Sequence, residues 1–279
     1  MRIWRCGGID LILDRPLVMG IVNVTPDSFF DGGSTACVDS ALAHAQHLLD
    51  AGADIIDVGG ESTRPGAASI SPADEIARVL PVVSVLAAEG TFPVSIDTRH
   101  ASVAAACIEA GAHIINDVSG FSDSAMASVA SASGAGIVIV HMLGEPATMQ
   151  VAPFYEDVVA EVLEFLSARA LALVAEGVDP ESICVDPGIG FGKTVEHNLK
   201  LMRSLDRFAE MSYPVMLGAS RKRFIADIAG SQAEVPKDRL GGSIAAAVWG
   251  ALNGVAVLRV HDVAETVQAV RVAQALAEG

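Results

Sequence analysis

A chain of 279 residues could hold two ordinary domains, but an α/β barrel of roughly 250 residues forms one. Hydrophobic residues make up 51% of it and aromatics only 5%, so the core must be aliphatic, as parallel strands buried on both faces require. The formal net charge of −16 argues against nucleic acid as a partner, since such proteins carry basic patches, and an anionic substrate would need a local cluster of cations.

Residues 1–16 lack the continuous apolar stretch of a signal peptide and are expected to form a short N-terminal hairpin over the bottom of a barrel. From there, short β-branched runs recur at 17–22, 55–58, 94–96, 114–115, 137–140, 183–185, 215–217 and 255–260, each read as a strand. The segments between them carry helical spacing, as at 40–49, 155–175, 196–208 and 262–276. The related stretches 50–54 (DAGAD) and 109–113 (EAGAH) read as helix stops with glycine near the C-cap. Eight βα units point to a closed (β/α)8 barrel of the TIM type, with residues 1–279 as a single domain. The competing fold is an open doubly wound sheet, which usually opens with a GxGxxG turn. Here the first strand runs into Asn23, Val24, Thr25, Pro26 and Asp27 instead. The most membrane-like stretch, 243–260, is interrupted by Gly250, Asn253 and Gly254, so a helix and a buried strand explain it better than a span, and no membrane partner is expected. Cys6, Cys37, Cys107 and Cys184 show no CxxC pairing, so neither zinc nor a disulfide framework is indicated, and reduced thiols in a cytoplasm are the simple reading.

In such barrels the catalytic groups stand at the C-terminal ends of the strands. All eight ends are polar here: Asn23 with Thr25, Asp27 and Ser28; residues 59–66 with Glu61, Thr63 and Arg64; Asp97 to Arg99; Asn116 with Asp117; His141 with Met142; Asp186 to Gly188; Gly218 with Ser220, Arg221 and Lys222; Arg259 with His261 and Asp262. Helix capping explains Asp262 and Asp117, but not Arg259, Lys222 or Arg64. Asp97, Asn116 and Asp186 offer carboxylates and an amide that can pair with the donor–acceptor edge of a flat heterocycle. Arg64, Arg221, Lys222, Arg259 and His261 suit an anionic leaving group or a substrate carboxylate. Met142 is kept among the substrate contacts; His141 reads as packing behind it and is left out. Residues 188–194 (GIGFGKT) look like the end of a Walker loop, but its first glycine would have to stand at Pro187, so Lys193 and Thr194 need not touch a nucleotide.

The motifs at 19–29 (MGIVNVTPDSF), 57–66 (DVGGESTRPG), 95–98 (SIDT), 115–117 (IND), 186–193 (DPGIGFGK), 218–222 (GASRK) and 259–262 (RVHD) together resemble the dihydropteroate synthase family of pterin-binding barrels, in order and over nearly the whole chain. The resemblance implies condensation of 6-hydroxymethyl-7,8-dihydropterin diphosphate with p-aminobenzoate, giving 7,8-dihydropteroate and pyrophosphate. It implies a pterin pocket of Asp97, Asn116, Asp186 and Lys222, and a diphosphate and Mg2+ site of Asn23, Arg259 and His261, with Asn23 nearest the metal. Thr63, Arg64, Pro65, Phe191, Ser220 and Arg221 fall on the p-aminobenzoate side, with Met142 and Gly218 also among the substrate contacts. Asp97, Lys222, Arg259 and His261 are the expected catalytic residues. Asp27, Phe29 and Phe30 fall in covering loops, and a cytoplasmic homodimer is expected. Two alternatives stay open: a pterin-binding methyltransferase-type barrel, and a paralogue that binds pterin without turnover.

Overall fold

A computed structural model of the chain describes residues 2–25, 33–62, 69–146, 148–230 and 234–277. It begins with the expected antiparallel hairpin, β1 (Ile3–Cys6) paired with β2 (Ile9–Ile12). Alternation along β1 buries Trp4 and Cys6 and leaves their neighbours half-exposed. The hairpin closes the bottom of the barrel: the Trp4 indole donates to the Ser182 carbonyl at 2.7 Å, and Gly7 N–H donates to the Gly134 carbonyl at 3.0 Å.

Eight parallel strands follow: β3 (Leu17–Asn23), β4 (Ile55–Gly59), β5 (Val94–Asp97), β6 (Ile114–Asp117), β7 (Gly136–Val140), β8 (Ile183–Asp186), β9 (Met216–Leu217) and β10 (Val257–Val260). Their order is β8-β7-β6-β5-β4-β3-β10-β9, and a parallel bridge between Val185 and Val215 joins the two edges, so the sheet closes on itself. The helices are α1 (Gly33–Asp50), α2 (Pro72–Glu89), α3 (Ala101–Glu109), α4 (Met126–Ser133), α5 (Val158–Ala175), α6 (Val195–Arg203), α7 (Leu205–Ala209), α8 (Arg223–Ala229), α9 (Leu240–Leu252) and α10 (Val263–Ala277). The TIM-type α/β barrel expected from the repeated units is the observed fold. None of its described helices is long and apolar enough to cross a membrane.

Local chemistry sets the ends of these elements. The Ser71 hydroxyl accepts from Asp74 N–H and Pro72 opens α2, which stops at Gly90 in the left-handed conformation. The expected stops after α1 and α3 fall at Gly52 and Gly111, both with positive φ. The segment expected as a helix over 155–175 starts at Val158, because the Asp157 carboxylate caps it by accepting from Val159 and Ala160 N–H. The expected helix over 196–208 is two helices, broken where Ser204 leaves helical geometry at φ −110 and ψ 20.

Each barrel strand changes character along its inward face. Successive inward residues lie two apart. Leu17, Met19, Ile55, Ile114, Val138, Cys184, Met216 and Val257 form an apolar tier above Trp4 and Cys6. One step further along the same faces stand Asp57 after Ile55, Asn116 after Ile114, Asp186 after Cys184 and Arg259 after Val257. The opposite faces, such as Ile137 and Ile139 on β7, pack into a second apolar layer beneath the helices. The barrel is thus filled below and ionisable above, and the ionisable tier is the floor of the mouth.

Candidate active site at the mouth of the barrel

Arg259 at the end of β10 ties the floor together. Its Nε donates to Asp57 Oδ2 at 2.7 Å and its Nη2 to Asp97 Oδ2 at 2.5 Å. Asn116 Nδ2 donates to the same Asp57 oxygen at 3.3 Å. Asp57 is wholly buried. Burial raises the Asp97 carboxyl to about 7; the Arg259 charge opposes this, and the nearby Asp57 carboxylate adds to it. Burial works against the charge on Arg259, but Asp57 and Asp97 together hold its proton more tightly than usual. Asp57 Oδ1, Asn116 Oδ1 and Ser95 Oγ are buried without a hydrogen-bond partner among the described residues, a costly condition unless water or a bound molecule meets them.

A second group stands across the mouth. Asp186 ends β8 and accepts from Gly188 N–H at 2.6 Å. Burial raises its pKa, while that hydrogen bond and the Lys222 charge pull it back. Lys222 precedes α8, and its Nζ sits 3.6 Å from the centroid of the Phe191 ring. Burial lowers the ammonium to about 8, with Asp186 acting in the opposite direction. A solvated helix-start lysine would show neither feature. Gly218 lies between the groups: a Cβ there would come within 3.6 Å of Asp186 Oδ2 and 4.0 Å of Arg259 Cδ.

On the rim, Ser220 Oγ lies 3.0 Å from His261 Nδ1 and accepts from His261 N–H at 3.3 Å. Arg221, with φ +57, forms a two-pronged pair with Asp262, Nε to Oδ2 at 3.1 Å and Nη2 to Oδ1 at 2.5 Å. This corrects the capping role read for Asp262: both of its oxygens orient Arg221. Asp117, by contrast, serves its own turn, accepting from Ser119 and Phe121 N–H at 2.7 and 2.9 Å. Asn23 ends β3 half-buried, and its amide makes no hydrogen bond to the described residues. Met142 is half-buried against the inner apolar tier. Asp27, Phe29, Phe30, Thr63, Arg64 and Pro65 lie outside the described residues.

Behind the mouth, Lys193 Nζ lies 2.8 Å from His141 Nδ1, a pair that sequence reading dismissed in both members. At the base of the segment following β4, Arg99 pairs through Nε and Nη2 with both oxygens of Glu61, at 2.9 and 3.0 Å. Glu61 also stands with Glu75 and His100 in a group whose ligand atoms lie within 4.8 Å of one another. Arg99 already occupies Glu61, and the imidazole suits transition metals better than Mg2+. The residues that sequence reading missed share one property: their partners are distant in sequence, 38 positions for Glu61 and Arg99, 52 for His141 and Lys193, and 202 for Asp57 and Arg259. Asp57 had a signal nonetheless, as a charge inside the apolar run at 55–58.

Comparison with known proteins bears on this geometry. Residues 19–261 match the family model described as pterin binding enzyme. A dihydropteroate synthase of Neisseria meningitidis serogroup C is 44% identical over 279 residues, covering 99% of this chain and 98% of the relative. A Xanthomonas albilineans dihydropteroate synthase with 4-aminobenzoic acid superposes with a TM-score of 0.92 at 43% identity, covering 99% of each chain. The X. albilineans enzyme in complex with 7,8-dihydropteroate gives 0.90 at 42% identity, again over 99% of each chain. The motifs, the closed barrel and near-full-length identity agree, and the chain belongs to the dihydropteroate synthases within the family of pterin-binding enzymes.

Proposed function

We propose that the mouth of this barrel joins 6-hydroxymethyl-7,8-dihydropterin diphosphate to p-aminobenzoate, releasing pyrophosphate and 7,8-dihydropteroate. The observation that carries the residue assignment is the convergence at the mouth of buried Asn116 and Asp186 with half-buried Asp97 and Lys222, each following a different barrel strand. Asp186 and Asn116 accept from the N–H edge of the pterin, and Lys222 donates to its carbonyl side. The unpartnered Asn116 Oδ1 supports such a role. Phe191, Ser220 and Arg221, with Thr63, Arg64 and Pro65, take the arylamine and its carboxylate, with Met142 and Gly218 as neighbouring contacts.

Arg259 and His261 hold the departing diphosphate. The arylamine is a weak nucleophile, and the dihydropterin ring shares the positive charge left on its exocyclic methylene as the C–O bond breaks. Pyrophosphate leaves with the C–O bonding pair, the arylamine nitrogen bonds the exocyclic carbon, and the surplus ammonium proton passes to solvent. Stabilisation of the leaving group is the chief contribution of these residues to the rate.

The donor set fits Mg2+ sparingly: Asn23 offers one amide oxygen not engaged by the described residues, and Mg2+ commonly keeps few protein ligands beside substrate phosphates and waters. When bound, the ion supplies neutralisation of the diphosphate charge. The chain acts as one domain over residues 1–279, in the cytoplasm, as a homodimer. Ile228, Trp249 and Leu252, exposed at 57%, 47% and 50% on α8 and α9, support an apolar surface for a second copy.

Pyrophosphate release measured with and without p-aminobenzoate tests the reading. Release that requires p-aminobenzoate and yields dihydropteroate is expected. Pterin binding with no release under either condition would replace the synthase assignment with a non-catalytic one.

A further inference from the structure

The lysine of the incomplete Walker loop has its own chemistry. Lys193 is 3% exposed, and its Nζ has three neighbours within hydrogen-bond distance: His141 Nδ1 at 2.8 Å, the Phe191 carbonyl at 3.0 Å and the His141 carbonyl at 3.3 Å. Burial holds the Lys193 ammonium well below the ordinary lysine range, with Asp186 acting against this and Lys222 adding to it. Burial, with the Lys193 charge, lowers His141 to about 3, so its imidazole is neutral. The three contacts serve both states of the lysine. An ammonium donates to all three, whereas a neutral amine donates to the two carbonyls and accepts from Nδ1–H.

These contacts join the parts that shape the mouth. His141 follows β7, and its N–H donates to the Asp186 carbonyl at 3.0 Å. Gly188, which donates to the Asp186 carboxylate, lies against the His141 carbonyl so closely that a Cβ would come within 1.8 Å of that oxygen, at φ +68. Phe191, whose carbonyl is the third neighbour, places its ring 3.6 Å from Lys222 Nζ. We infer that Lys193 is a positioning residue of the reaction: it ties the imidazole and carbonyl of His141 to the Phe191 carbonyl, and so sets the Phe191 ring against Lys222 and keeps Gly188 N–H on Asp186. The inference rests on the reading of this mouth as the pterin and p-aminobenzoate site. A displacement of about 1 Å in such a site costs on the order of a hundredfold in rate.

The groups facing Lys222 are Asp186 from β8, Asp97 from β5, Arg259 from β10, Lys193 and the Phe191 ring, so His141→Leu, which keeps the lysine at 193, separates positioning from the loss of a neighbouring cation. Releasing that ring admits water and lets the Lys222 titration rise toward that of free lysine. Lys193→Met keeps length and volume but loses all three contacts. It should lower kcat/KM roughly ten- to a hundredfold, raise the KM for p-aminobenzoate, and shift the Lys222 titration, followed by NMR of the lysine Nζ, upward by about half a unit or more. His141→Leu should reproduce these effects, and the double variant should be no worse than either single one. His141→Asn, which keeps an acceptor near the place of Nδ1, should stay near wild type. The NMR titration needs no turnover, so it separates failure of this inference from failure of the proposed reaction. A Lys193→Met protein that melts earlier but titrates Lys222 as wild type and keeps its KM values would overturn the inference. If that variant does not fold, identical Lys222 titrations in His141→Leu and His141→Asn would do the same.

Discussion

Ile55 and Asp57 sit two residues apart on one strand and face the same interior, yet they do opposite work. Ile55 belongs to the apolar tier that Trp4 and Cys6 close from below. Asp57 belongs to a tier that binds charge, and its burial is tolerated because Arg259 and Asn116 reach it. The lower tier is held by the release of water from about 1.5–3 kcal/mol worth of side chain per large residue, and its members are exchangeable within shape. The upper tier gains little net stability from its ion pairs but loses much if one partner goes. What the lower tier supplies is rigidity, on which the upper tier's geometry depends.

Substitutions that remove one member of each tier separate the two roles. Arg259→Ala should have the largest effect, because it strands the wholly buried Asp57 carboxylate and the largely buried Asp97 carboxylate. We expect about 3–5 kcal/mol of lost stability by denaturant unfolding, together with a ten- to thousandfold fall in kcat/KM, on the order of losing a donor to developing charge. His261→Ala, at the half-buried rim, should give a kinetic loss of the same order with stability within about 0.5 kcal/mol of wild type. A large stability loss there would blur the distinction. Trp4→Ala, in the lower tier, should cost about 3–5 kcal/mol by the same unfolding measurement and leave KM values for both substrates unchanged in the folded fraction. A shifted pterin KM would show that the tiers are not separable.

The pH profile sharpens the comparison, because only the upper tier titrates near neutrality. Asp97 keeps its proton up to about 7, so its protonated form favours the fold at low pH and that contribution is lost as pH rises toward 7. On the proposed function, the Asp97 carboxylate that forms over the same interval is the state that contributes to the pterin pocket. Lys222 loses its charge above about 8. kcat/KM should therefore rise through about 7 and fall through about 8, each limb approaching tenfold per unit. A flat profile between pH 6 and 9, measured with substrates that do not titrate there, would remove both residues from the chemistry. The smallest effect is expected at Asp262→Asn, which loosens Arg221 and should raise the KM for p-aminobenzoate by about two- to fivefold, leaving pterin affinity alone.

The barrel was legible because buried parallel strands read as short β-branched runs, and the helices between them end at glycines. The polar cluster at the mouth was legible because polar groups at all eight strand ends exceed what capping needs. The network beneath them was not. Asp57 and Arg259 are 202 positions apart and Lys193 and His141 are 52 apart, so nothing in the local sequence pairs them. Asp262 shows the same limit: an aspartate after a strand is indistinguishable from a cap until Arg221 is seen against it. Burial does not appear in local sequence, so the raised Asp97 and lowered Lys222 could not be anticipated from residue type.

The division between tiers is tested most directly on β8, where Cys184 and Asp186 share one inward face. Calorimetric titration with dihydropterin diphosphate on Cys184→Ala and Asp186→Ala compares one step of strand with the next. The account predicts that Asp186→Ala, melting cooperatively, loses about 2–3 kcal/mol or more of pterin affinity, roughly thirty- to a hundred-and-fiftyfold. Cys184→Ala should melt earlier and bind as wild type. Unchanged pterin affinity in folded Asp186→Ala, or equal losses in both variants, would contradict it.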